Sequence, residues 1–157
     1  MARLNLGTFS IEASDQWTLS TMILAGPVEE PNDKLKLKTA KPPKPFQQNI
    51  IVTMEQVKND ETPESYVKRQ IQGLVEANVR RKETASPENV ELAGGQKGYL
   101  TEQSVTAPGG EQVRQLQLVT IKKGVAFTLI ASNLDGPAFD ASRTAFRKIL
   151  TSFAAPD

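Results

Sequence analysis

Apolar residues along the chain follow two rhythms, and the change from one to the other divides it into elements. From Leu4 to Ile11 and from Trp17 to Leu24 the pattern is strand-like, and the polar turn "EASDQ" between the runs predicts an opening hairpin. "QNIIVTMEQV", residues 48–57, predicts a strand with Ile50, Val52 and Met54 on one face and Ile51 and Val57 on the other, so both faces need cover. The rhythm then lengthens. Thr62 is placed to cap a helix, Pro63 opens it and Glu64 sits in its first turn; Val67, Ile71, Leu74, Val75 and Asn78 follow as one core stripe through "VRRK". "ASPEN" ends that helix, and "VELAGGQKGYLTEQSVT" predicts a short strand, a turn at Gly94-Gly95 and a longer strand. After the turn at Pro108, Gly109 and Gly110, "EQVRQLQLVTIKK" and "VAFTLIASN" predict two strands joined at Lys123-Gly124. Asp135, Gly136 and Pro137 open a last helix with the stripe Phe139, Ser142, Ala145, Phe146, Ile149, Leu150 and Phe153.

Consecutive, tightly turned strands imply an antiparallel sheet. The expected class is α+β: an antiparallel sheet of about six to seven strands with two helices packed on one face. A chain of 157 residues is the size of one ordinary domain with one core. Residues 25–45 hold five of the chain's ten prolines and five lysines, and are expected to form a long loop.

Alternation within the strands assigns their faces. In "RQLQLVT" Leu116 and Leu118 share one side, while Gln115, Gln117, Val119 and Ile121 share the other. By the same parity Met22 and Leu24 oppose Ile23, and Asn49, Ile51 and Thr53 oppose Ile50, Val52 and Met54. If the helices cover the leucine side, the other side is left open, part apolar and part amide. Such a face exceeds the few hundred Å² of apolar patch that soluble monomers usually expose, so it should meet a partner. Apolar area supplies affinity at ~25 cal/mol per Å², and an amide both donates and accepts.

Composition narrows the chemistry. Lys plus Arg number 19 and Asp plus Glu 18, a formal charge of +1, which is no field to draw nucleic acid or anionic lipid. The chain has no cysteine and no histidine, so thiolate chemistry is excluded and the commonest general base and metal ligand are missing. The acidic pairs Glu29/Glu30 and Asp60/Glu61 belong to loops, and "GGQKG" lacks the spacing and the strand-to-helix setting of a phosphate loop. No aromatic residue interleaves with Lys34, Lys36, Lys38, Lys41 and Lys44, so no base-stacking platform is expected there. The expectation is a protein without catalysis, cofactor or metal. The amino terminus lacks the apolar run of a signal peptide and no stretch reaches the ~18 to 20 apolar residues of a membrane span, which predicts a cytoplasmic protein not itself embedded in a membrane.

The helix motif "ESYVKRQI", Trp17 after the first turn and the strand order together resemble the DcrB-related family of the Mog1/PsbP-like fold, and within it the Eag-type chaperones of type VI secretion effectors. What the resemblance implies is a cytoplasmic adaptor, a homodimer, whose sheet holds the hydrophobic amino-terminal transmembrane region of a secreted effector until it is loaded for export. It implies apolar groove contacts at Met22 and Leu24, small polar contacts at Asn49 and Thr53 on the next strand, where alternation adds Ile51 between them, a helix amide at Gln70 reaching around the sheet edge, and a strand amide at Gln117. The alternative is a Mog1/PsbP-like module that binds a folded protein partner or assists assembly of a complex through residues 25–45.

Overall fold

The computed structural model describes residues 2–5, 10–13, 17–18, 22–25, 46–58 and 60–156; the predicted loop at 25–45 lies, but for Ala25, outside them. Strands β1 (Ala2–Asn5) and β2 (Ser10–Ala13) pair as a hairpin of their own. The remaining strands are β3 (Trp17–Thr18), β4 (Met22–Ala25), β5 (Asn49–Gln56), β6 (Arg81–Glu91), β7 (Lys97–Thr106), β8 (Gln112–Lys122) and β9 (Val125–Leu134). They form one antiparallel sheet in the order β3-β4-β5-β9-β8-β7-β6. Helix α1 (Pro63–Glu76) follows β5, and α2 (Pro137–Thr151) follows β9. The α+β class and the antiparallel sheet are as the sequence predicts.

Three features differ from expectation. Leu4 and Ile11, read as the ends of one strand, are cross-strand partners in the β1–β2 hairpin; alternation continues through two short arms as readily as through one long one. "ASPEN" does not break a helix but lies within β6, where the pairing shifts between Glu83 and Ala85 and between Ala85 and Glu88. A bulged edge strand is where a strand tolerates proline, because no neighbour needs its missing N–H. The helix before it therefore stops at Glu76, and Asn78 takes a left-handed φ of 59° just beyond its end.

The third difference concerns the helices, which lie on opposite faces of the sheet. α2 packs Phe139, Phe146, Ile149 and Leu150 on the leucine side, against Leu116, Leu118, Leu129, Ala131 and Ile50, with Ile11 of β2 in the same cluster. Phe153 joins it, its ring 5.3 Å from that of Phe127. The β1–β2 hairpin docks on this side too, where the Glu12 N–H donates to Ser152 Oγ at 3.1 Å. α1 instead packs Tyr66 and Val67 onto Tyr99, Val119 and Ala126, residues of the amide side. The stripe of α1 fits either apolar face, and α2 with the hairpin already fills the leucine side.

An ion pair with a buried carboxylate and a half-exposed arginine ties α2 to the sheet. Glu102 of β7 is 6% exposed; Arg143 donates to it from Nε at 3.2 Å and from an η nitrogen at 3.1 Å, and Thr84 Oγ1 donates at 2.9 Å.

Candidate functional site: a cleft on the amide face

α1 is short and crosses only part of the face it covers. Its start is fixed by a reciprocal cap, in which Thr62 Oγ1 accepts from the Ser65 N–H at 3.1 Å and Ser65 Oγ accepts from the Thr62 N–H at 3.0 Å. Tyr66 and Val67 then bury themselves on the sheet, and the Tyr66 hydroxyl donates to Glu55 Oε2 at 2.5 Å. Burial first, and then the Glu55 carboxylate, push the Tyr66 phenol up from its usual pKa, while Thr128 and Arg69 pull the other way.

Beside α1 the face opens into a cleft of about 660 Å³. Its floor is four strands wide: Asn49, Ile51 and Thr53 of β5; Thr128, Ile130 and Ser132 of β9; Val113, Gln115 and Gln117 of β8; Thr101, Gln103 and Val105 of β7. Gln70, Ile71 and Leu74 of α1 form one wall, and Ala107 and Pro108 of the β7–β8 turn line it as well. Cross-strand register explains why these residues meet, since Gln117 faces Thr101 and Ile130, Gln115 faces Gln103 and Ser132, and Ile51 faces Ile130.

The amides are tied to one another across the strands. Arg81 Nε donates to Gln103 Oε1, Gln103 Nε2 to Gln115 Oε1 at 2.9 Å, and Gln115 Nε2 to Ser132 Oγ at 3.2 Å, a ladder over β6, β7, β8 and β9. Separately, Gln117 Nε2 donates to Gln70 Oε1 at 3.1 Å. Each amide offers two donor hydrogens and a two-lone-pair acceptor, so these bonds leave about half of the hydrogen-bonding capacity for something else. Lys, Arg, Asp and Glu make up 24% of the chain, yet none of them is among the described residues that line the cleft. Its ligand chemistry is therefore neutral: apolar contact with amide and hydroxyl hydrogen bonds.

Of the residues picked out in the sequence, Asn49, Ile51, Thr53, Gln70 and Gln117 line this one cleft. Met22 and Leu24 pair with Ile51 and Asn49, which puts them at register positions on the same face. Gln70 does not reach around the sheet edge, because α1 sits on the amide face and holds it opposite Gln117. Gln103, Ile130 and Ser132 were missed. For Gln103 the signal was available, since "TEQ" alternates as "QLQ" does; in β9 the alternation of Thr128 and Ser132 against Phe127, Leu129 and Ala131 carried the same signal, weakened by Ile130 between the two hydroxyls.

No family model matches the chain, and neither does any curated protein. Solved structures do. The solution structure of cyanobacterial PsbP from Synechocystis superposes with a TM-score of 0.63 at 14% identity, covering 98% of this chain and 91% of that one. PA94 of Pseudomonas aeruginosa, a protein of unknown function, gives 0.62 at 13% identity over 100% and 97% of the two chains. The Ran-binding protein Mog1p of Saccharomyces cerevisiae gives 0.53 at 9% identity over 99% and 95%. The fold is PsbP/Mog1-like. The likeness reaches that fold and not the narrower DcrB-related or Eag-type grouping. At these identities a PsbP/Mog1-like fold carries architecture alone, and the cleft has to be judged by its own residues.

Proposed function

We propose that this protein is a binding module without catalysis, and that the cleft on the amide face takes an apolar polypeptide segment of a protein partner. The observation that carries this reading is that the described residues lining the cleft are uncharged, apolar with unspent amide capacity. An apolar helix leaving water loses nothing on Ile51, Ile71, Leu74 and Ile130, and its Ser or Thr hydroxyls and small-residue carbonyls find partners in Gln115 and Gln117. The chain resembles the Eag-type chaperones in "ESYVKRQI" and Trp17, and on that resemblance the segment is the hydrophobic amino-terminal region of a type VI secretion effector, shielded in the cytoplasm by a homodimer until export. Among the described residues no helix is long and apolar enough to cross a membrane.

Co-expression with such an amino-terminal segment should give a soluble complex that Ile51→Asp, in the cleft floor, abolishes. Deleting residues 25–45 should spare that complex; a deletion that abolishes binding while Ile51→Asp has no effect overturns the cleft in favour of a folded partner held by that segment.

A further inference from the structure

With α1 where it stands, the cleft takes in only part of the ligand proposed for it. Its volume is about 660 Å³, the scale of a small-molecule pocket. An apolar helix of ~20 residues is ~30 Å long and ~10 Å across, and fills roughly 2,400 Å³. The floor cannot yield, because β7, β8 and β9 are each paired on both sides. The helix wall can. The ties of α1 to the sheet gather at its first two turns, where Tyr66 and Val67 are 2% and 1% exposed and the Tyr66 hydroxyl donates to Glu55. Past Ile71 they thin out. A Cβ added at Gly73 would meet nothing within 4 Å, Leu74 is half-buried, and Val75 is 69% exposed. Among the described residues, Gln70–Gln117 is the side-chain hydrogen bond that joins α1 to the floor strand β8. Residues 77–80, which lead into β6, are exposed and turn through the left-handed Asn78.

We propose that α1 is a lid on the amide face, hinged at its first two turns and latched by the Gln70–Gln117 hydrogen bond. Seating an apolar helix trades that bond for contacts of Gln117 with the ligand, while the C-terminal half of α1 lifts by roughly half a helix diameter, ~5 Å. This inference rests on the cleft being a segment-binding groove. A neutral hydrogen bond biases two positions by about three- to tenfold. That is enough to keep Ile71 and Leu74 over the floor when the groove is empty, and little enough for a ligand to overcome.

The chain has no cysteine, so spin labels on introduced pairs report on chosen distances in the full-length protein. Glu76→Cys with Gln112→Cys follows the lid, and Lys68→Cys with Gln112→Cys follows the hinge; all three positions are exposed. Adding Gln70→Ala should give the Glu76 pair a second, longer distance and leave the Lys68 pair unchanged, with no ligand present. A ~20-residue Leu/Ala/Ser helical peptide should move the wild-type Glu76 pair to that longer distance. Unmoved labels in Gln70→Ala, equal movement of both pairs, or bound peptide with the Glu76 pair unmoved would each overturn the lid. Absence of peptide binding would sink the groove instead, and the ligand-free Gln70→Ala comparison would still decide the latch.

Discussion

Ile51→Asp puts the binding face to a direct test. Ile51 sits in the cleft floor beside Ile130 and is 37% exposed, so roughly 65 Å² of apolar surface remains for a partner to cover, worth about 1.6 kcal/mol at ~25 cal/mol per Å². Ile51→Ala should therefore weaken a bound apolar peptide by at most about 15-fold. Ile51→Asp forfeits the same contact and sets a carboxylate under the ligand, where none of the described residues that line the cleft carries a charge to pair with it. Burying an unpaired carboxylate costs several kcal/mol more, and the loss should exceed about 100-fold. Met54→Asp is the matched control: Met54 is on the same strand at 57% exposure, but it pairs with Phe127 and belongs to the opposite face. Its binding should stay within about twofold of wild type. Fluorescence polarisation of a labelled ~20-residue apolar peptide containing serine gives the affinities, and urea unfolding checks that each variant is folded. If Ile51→Asp binds within about threefold of wild type, or Met54→Asp loses as much, the amide face is not where the segment lies.

Two other predictions concern what holds the layers together. Glu102→Ala strands Arg143 and the Thr84 hydroxyl, but Arg143 is 44% exposed at its side chain and keeps Asp140 at 3.3 Å, so the cost should fall below that of a fully buried pair, at about 2–3 kcal/mol; a melting temperature lowered by less than ~2 °C would contradict this. The phenols of Tyr66 and Tyr99 are both pushed up from 10.0, each mainly by burial. The unfolded chain then loses these protons at lower pH than the folded one, so their stabilisation is complete below about pH 10 and drains as pH rises through the higher folded values. Urea unfolding from about pH 9 to 11 should show that fall, and Tyr66→Phe should flatten part of it; an unchanged slope would remove Tyr66 as a cause.

How much of this was legible in the sequence follows from the range of the interactions involved. Which residues of one strand share a face depends only on a period of two, so alternation set Asn49, Ile51 and Thr53 together on β5 and Gln115 and Gln117 together on β8, and the register Met22↔Ile51 and Leu24↔Asn49 agrees with it. Which face a helix covers depends on what else competes for that face. The stripe of α1 gave no hint that α2 and the β1–β2 hairpin fill the leucine side. Pro87 misled for a related reason, since a proline reads as a breaker until the strand that holds it is known to be an edge. Placing α1 on the amide face changes the meaning of the glutamines. Gln117 has a partner in Gln70 before any ligand arrives, so a loss of binding in Gln117→Ala sums a lost ligand contact and a lost latch, which act in opposite directions on affinity. Only a cycle with Gln70→Ala, measured once on the free protein and once on the complex, separates the two.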